Sequence, residues 1–160
     1  MRIYDALGRL SQTTQKLTDA AYLAQVNYDN WGRPLQQIAK RGSDAAKVFD
    51  LRYNAFGFPA RVERAGLVLS QVTAQDAANR PTLTMFGNGL TQARTYNVYT
   101  AHLDDAALRT AANEARLHEV YLYDAIGSIT QRNQYWSATG FQETFAYDDL
   151  NRLSSSWVLG

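Results

Sequence analysis

Tyr4-Asp5-Ala6-Leu7-Gly8-Arg9-Leu10 is a short stretch that the rest of the chain repeats. Tyr28-Asp29-Asn30-Trp31-Gly32-Arg33-Pro34 restates it, as do Tyr53-Asn54-Ala55-Phe56-Gly57-Phe58-Pro59 and Tyr123-Asp124-Ala125-Ile126-Gly127-Ser128-Ile129. Tyr147-Asp148-Asp149-Leu150-Asn151-Arg152-Leu153 closes the series, and Tyr96-Asn97-Val98-Tyr99-Thr100 reads as a worn copy. The step is 24 residues from Tyr4 to Tyr28, 25 to Tyr53, and 24 again from Tyr123 to Tyr147. A fixed period decides the architecture before any other feature.

Each copy has the chemistry of a hairpin tip. An aromatic residue ends an extended run. Asp or Asn then offers an oxygen to backbone N–H groups ahead of it. Three residues later stands Gly, which accepts positive φ without a steric penalty. A type I turn followed by a left-handed residue is a common hairpin connection. Asn151 replaces that glycine in the last copy, and asparagine tolerates positive φ better than most residues. A period near 24 holds two strands of about 7–9 residues and two turns.

The stretches between copies read as strands. Tyr22, Ala24, Val26 and Tyr28 alternate with Leu23, Gln25, Asn27 and Asp29, and Phe49, Leu51 and Tyr53 alternate with Asp50, Arg52 and Asn54. That is period two. Arg41-Gly42-Ser43-Asp44 and Ala65-Gly66 are turns, and residues 74–81 read as a loop. Tyr53 and Tyr96 are 43 residues apart, close to two periods, and Phe86-Gly87-Asn88-Gly89-Leu90 is expected to fill the missing place. Residues 103–118 carry alanines at helical spacing, including Ala111, Ala112 and Ala115. They read either as a helix or as two degenerate strands, with strands favoured because a motif follows directly. Ser128 to Trp136 is a strand, Ala138-Thr139-Gly140 a turn, and Phe141 to Tyr147 the next strand. The expectation is one all-β domain over residues 1–160, with about six antiparallel β-hairpin repeats stacked into a curved or spiral sheet. Neither end is a polar capping repeat, so the chain is expected to be a segment of something longer.

Composition narrows the function. The 160 residues carry 16 Lys plus Arg against 15 Asp plus Glu, which gives no electrostatic reason to expect nucleic acid or an anionic membrane. Cysteine is absent, so there is no disulfide framework and no thiolate chemistry. No apolar run is long enough to span a membrane as a helix, and residues 1–25 lack a signal-peptide core. At 160 residues a domain is expected to bury roughly 68–70% of its unfolded surface.

Catalytic readings find little support. His102 and His118 stand alone, short of the three or four ligands that zinc needs. Ser154, Ser155 and Ser156 lie in a strand without a nucleophile elbow. Gly87-x-Gly89 is too short for a phosphate loop. Asp5, Asp29, Asn54, Asp124 and Asp148 sit on separate identical turns, whereas a glycosidase needs two converging acids; they read as turn caps. Arg9, Arg33 and Arg152 follow the glycine position and read as partners of neighbouring acids or as solvated charges. No catalytic residue, cofactor or metal is expected. Tyr4, Tyr28, Tyr53, Tyr123 and Tyr147 are expected to stack as an aromatic ladder across strands. A second reading makes Trp31, Trp136 and Trp157 a carbohydrate platform.

The five copies with consistent spacing resemble the YD repeat of Rhs proteins, of insecticidal Tc toxin complexes and of teneurins. Phe86-Gly87-Asn88-Gly89-Leu90 with Arg94-Thr95-Tyr96 is similar to a second signature of the bacterial branch, and so is Phe145 to Leu153. The structural repeat positions are thus Tyr4, Asp5, Gly8, Arg9, Tyr28, Asp29, Gly32, Arg33, Tyr53, Asn54, Gly57, Tyr123, Asp124, Gly127, Tyr147, Asp148, Asn151 and Arg152. The resemblance implies a long antiparallel sheet forming a shell around a C-terminal toxin, secreted or at the cell surface as part of a full-length protein. The implied partners are other YD repeats of the same or a neighbouring chain, self-association through sheet edges, an enclosed toxin domain and, in the second reading, surface glycans.

Overall fold

Backbone hydrogen bonding follows the repeat. The computed structural model describes residues 1–136 and 139–160, all of whose regular elements are strands. The chain forms two units, Met1–Gln71 and Val72–Gly160. The first holds β1 (Arg2–Tyr4), β2 (Leu10–Lys16), β3 (Ala21–Tyr28), β4 (Pro34–Arg41), β5 (Lys47–Tyr53) and β6 (Pro59–Arg64). β7 (Leu67–Gln75) runs across the boundary. The second holds β8 (Pro81–Phe86), β9 (Thr91–Tyr96), β10 (Leu103–Arg109), β11 (Ala115–Tyr123), β12 (Ile129–Trp136), β13 (Thr139–Tyr147) and β14 (Leu153–Leu159). Within each unit the sheet order is the sequence order. Within each unit the paired strands are antiparallel.

Several expectations change here. Residues 103–118 are strand, turn and strand, because Asp105↔Val120, Ala107↔His118 and Leu108↔Leu117 pair across a turn at 110–114. Cross-strand pairing outweighs the helix propensity of the alanines. The loop expected over residues 74–81 shortens to a tight turn at 76–80, because β7 runs to Gln75 and β8 starts at Pro81. Phe86-Gly87-Asn88-Gly89-Leu90 does form a turn, closed by Phe86 N–H to Leu90 O at 2.8 Å. It joins β8 to β9, however, at the strand end opposite the tyrosine motifs, so it does not fill the missing place. Of the turn expected at Ala138-Thr139-Gly140, Ala138 lies outside the described residues, and Thr139 and Gly140 belong to β13.

Directly paired residues share a sheet face, and faces alternate along a strand. In the first unit, the registers set Ala24, Val26, Ala39, Phe49, Leu51 and Val62 on one face. The opposite face carries a polar chain in which Gln25 donates to Asn27 (3.0 Å), Asn27 to Gln36 (3.1 Å) and Gln36 to Asp50 (2.8 Å). Glu63, 8% exposed, ends it by accepting from Arg52 at 3.3 Å and pairing with Arg61. In the second unit Glu119 accepts from Gln134 (2.7 Å) and Tyr121 (3.1 Å), and Arg132 pairs with Glu143. Burial, with Glu119 beside it, pushes the Tyr121 hydroxyl up to about 12.

The apolar core is thin. Among the described residues only Ala106 and Ala107 are buried hydrophobics. The accessible surface is 10967 Å², against about 8,000 Å² for a close-packed monomer of this mass. The expected burial fraction is therefore not reached. Among the described residues, strands within each unit meet only their sequence neighbours, and no second layer of described residues covers either face. Backbone ladders and side-chain hydrogen bonds hold these strands more than a hydrophobic interior does.

Candidate functional site

The repeat motifs build one kind of turn, at the end where an odd strand passes to an even one. In Asp29–Arg33, Asp29 N–H donates to Arg33 O (2.8 Å) and Gly32 N–H to Asp29 O (3.0 Å). One carboxylate oxygen of Asp29 accepts from Trp31 N–H and Arg33 N–H, each at 2.9 Å. The other accepts from Arg33 Nε at 2.7 Å. Asp5 does the same with Leu7 and Arg9, and Asp148 with Leu150 and Arg152. Asn54 Oδ1 accepts from Phe56 and Phe58 N–H, and Asp124 Oδ1 from Ile126 and Ser128 N–H. The fourth position has positive φ at Gly8, Gly32, Gly57, Gly127 and Asn151. A register shift precedes the turn at Tyr4, Tyr28, Tyr53, Tyr123 and Tyr147, as a bulge containing a left-handed residue requires.

Two copies fill the gap between Tyr53 and Tyr123. Asp76-Ala77-Ala78-Asn79-Arg80 is a complete turn: Asp76 accepts from Ala78 and Arg80 N–H at 2.9 Å and from Arg80 Nε at 2.6 Å, and Asn79 has φ 60. Sequence reading passed over it because Gln75 replaces the tyrosine. Its Asp-x-x-Asn-Arg pattern, the same as at Asp148–Arg152, was the usable signal. Asn97–His102 is one residue longer, and Ala101 takes the left-handed position at φ 64.

Neighbouring copies are joined through the arginine. The Arg9 guanidinium lies 4.2 Å over the Tyr28 ring, Arg33 lies 4.3 Å over Tyr53, and Arg80 lies 4.3 Å over Tyr96. His102 takes this role over Tyr123, with ring centroids 4.4 Å apart. The tyrosine hydroxyl donates to the first carbonyl of the strand before it: Tyr28 to Leu10 (2.9 Å), Tyr53 to Pro34 (2.7 Å), Tyr123 to Leu103 (2.7 Å) and Tyr147 to Ile129 (2.9 Å). The expected tyrosine-on-tyrosine ladder is therefore corrected. A cation or imidazole sits on the rings of Tyr28, Tyr53, Tyr96 and Tyr123, because two-strand spacing near 10 Å is too wide for direct ring contact.

The same stacking crowds the glycines. A Cβ on Gly32 would lie 3.0 Å from Arg9 Nη1, and one on Gly127 would lie 2.8 Å from His102 Cε1. Charge is tuned as well. Asp5 is held below the usual carboxylate range, chiefly by the Arg9 backbone N–H. Asp148 is lowered chiefly by the Arg152 side chain. At Asp29 and Asp76 desolvation pulls upward, but the hydrogen bonds from Arg33 and Arg80 outweigh it. Burial raises the Tyr53 and Tyr123 hydroxyls.

Trp136 and Trp157 do not share a sheet face. Trp31 is a turn-tip residue of the first unit, 81% exposed, with Arg33 4.9 Å from its ring. In the second unit Trp136 pairs with Thr139 and Trp157 with Thr144. Those threonines are five residues apart on β13, so the two indoles face opposite sides. His118 Nε2 meets Asp105 Oδ2 at 2.6 Å, and among the described residues no cluster of three or more His, Asp or Glu is arranged for a metal. No helix among them is long and apolar enough to cross a membrane.

Neither a protein-family model nor a curated protein matches the chain. Solved structures do. The crystal structure of TcdB2-TccC3-Cdc42 matches over 96% of this chain with a TM-score of 0.72 at 18% identity. That of TcdB2-TccC3-TEV matches over 96% with a TM-score of 0.70 at 16% identity. The chain spans 9% of the length of each matched chain. Its repeated antiparallel hairpins have the fold of a segment of those TcdB2-TccC3 chains.

Proposed function

We propose that residues 1–160 are a YD-repeat segment of a shell of the Rhs or Tc type, a non-enzymatic piece of wall that helps enclose a C-terminal toxin. The observation that carries this reading is the inter-repeat join: an aspartate-capped turn whose arginine covers the tyrosine of the next copy. Such a join suits a wall that extends by adding hairpins, and it offers no converging acid, base and nucleophile. The match over 96% of the chain to 9% of a much longer one supports a role as part of a larger body. The outer edges of β1 and β14 are proposed as the places where further repeats, of the same or a neighbouring chain, continue the pairing. Location outside the cell follows from the same reading.

An immunoblot with an antibody against this segment tests it. The expected band lies far above 17.9 kDa. In the native product, a C-terminal region should resist protease until the repeats are denatured. A native band at 17.9 kDa, or a C-terminal region cut as fast as a free domain, would overturn the shell reading.

A further inference from the structure

The arginine of the last turn lacks the ring that its counterparts cover. Arg9, Arg33 and Arg80 each bind their own aspartate and lie over the tyrosine of the next copy. Their side chains are 31%, 29% and 28% exposed. Arg152 binds Asp148 in the same pose, with Nε at 2.8 Å and Nη2 at 2.7 Å. Its side chain is nevertheless 73% exposed, and it covers no ring among the described residues. Tyr4 is the converse case. It is 55% exposed, whereas Tyr28, Tyr53, Tyr96, Tyr123 and Tyr147 are half-buried. Among the described residues no cation or imidazole lies over the Tyr4 ring, and its hydroxyl has no hydrogen-bond partner.

The two are open halves of one join. Continuing the β2–β3 register sets Tyr28 opposite Arg9, and β4–β5 sets Tyr53 opposite Arg33. In the second unit β8–β9 sets Tyr96 opposite Arg80, and β10–β11 sets Tyr123 opposite His102. The covering side chain and the acceptor carbonyl for the tyrosine hydroxyl thus come from consecutive residues, as Arg9 and Leu10 do for Tyr28. Arg152 and Leu153 are such a pair, at the start of β14, whose other edge carries no described strand. In the same register a strand ending in Tyr4 sets Tyr4 opposite Arg152, Ile3 opposite Leu153 and Arg2 opposite Ser154.

We infer that β14 of one copy of this chain binds β1 of a second copy head to tail, with Tyr4 of the second copy as the selecting group. The Arg152 guanidinium covers the Tyr4 ring, and the Tyr4 hydroxyl donates to the Leu153 carbonyl. The inference rests on the reading of residues 1–160 as a wall that extends by adding hairpins, and it names what the open edge recognises. β1 offers only three residues of ladder, so backbone pairing alone is weak there, and the ring and hydroxyl decide the partner. A head-to-tail contact leaves one open half of each kind on every complex, so association does not stop at two copies.

Sedimentation velocity of the full chain over a range of concentrations tests this. The wild type should form species that keep growing with concentration. Tyr4→Leu, which loses both ring and hydroxyl, should weaken association about tenfold. Tyr4→Phe, which keeps the ring, and Arg152→Gln, which keeps the carbonyl, should each weaken it less. An equimolar mixture of Tyr4→Leu and Arg152→Gln should form dimers where neither variant associates alone, because only one intact join can be made. Unchanged circular dichroism spectra check that the variants fold. Association that neither substitution weakens would overturn the tyrosine join and leave edge pairing by backbone alone. A wild type that stays monomeric at its highest soluble concentration, or a mixture that behaves as its separate components do, would also overturn it. The wall reading is decided separately, by the size of the native product and the protection of its C-terminal region.

Discussion

The turn at Asp29–Arg33 in the first unit and the turn at Asp124–Ser128 in the second have the same backbone. In each, the carboxylate accepts two N–H groups ahead of it, and glycine is left-handed at φ 82 and φ 93. Only the first carries an arginine. Arg33 binds its own aspartate and covers Tyr53. Ser128 leaves the ring of Tyr147 without that cover, although Tyr147 still donates to Ile129 O at 2.9 Å. The aspartate therefore makes the turn, the tyrosine hydroxyl ties it to the preceding strand, and the arginine adds a separable link between copies.

The largest effect should come from glycine. Gly8 and Gly127 share positive φ, but a Cβ on Gly8 meets nothing within 4 Å, whereas one on Gly127 meets His102 at 2.8 Å. Gly8→Val should cost about 1–2 kcal/mol from backbone strain alone, and Gly127→Val should cost more, because strain and displacement of the imidazole add. Urea midpoints would measure both. Equal losses would remove the crowding argument.

Asp29→Ala should lower the urea midpoint by leaving two N–H groups and a guanidinium without their acceptor. Asp124→Ala, with no arginine to strand, should cost less in the same urea titration. A smaller effect separates the links. The coupling energy of Arg33→Gln with Tyr53→Leu in a double-mutant cycle should be about 0.5–1 kcal/mol. Ser128 with Tyr147 should show none. Conversely, Ser128→Arg should raise the midpoint by building the missing stack, and a midpoint that falls would mean that the arginine needs more than the vacant place.

Acid should weaken the arginine-bearing turns. The carboxylates of Asp5, Asp29, Asp76 and Asp148 are held below their ordinary values. Their contribution is therefore fully present above the usual carboxylate range and is lost as pH falls from that range through the depressed values. Asp29→Asn should reduce the pH dependence of the urea midpoint below about pH 4, and an unaltered slope would show that the Arg33 pair is not the cause.

The repeat was legible because its parts are local. An oxygen at Asp5 reaching N–H groups two and four residues on, and a left-handed residue at Gly8, are settled within five residues of chain. The Asp76–Arg80 copy was missed because the search was anchored on tyrosine, and Gln75 had taken its place. At residues 103–118, local propensity and pairing pointed in different directions, and pairing with β9 and β11 decided.

By itself the sequence determined the hairpin period, the turn chemistry and the all-β class, since backbone sterics and short-range hydrogen bonds set them. Tertiary structure alone decided that arginine or histidine, and not another tyrosine, covers the rings of Tyr28, Tyr53, Tyr96 and Tyr123. It also decided that the indoles of Trp136 and Trp157 face apart. Those outcomes depend on the register between strands some 20 residues apart in sequence, and a shift of one residue would turn every side chain to the other face.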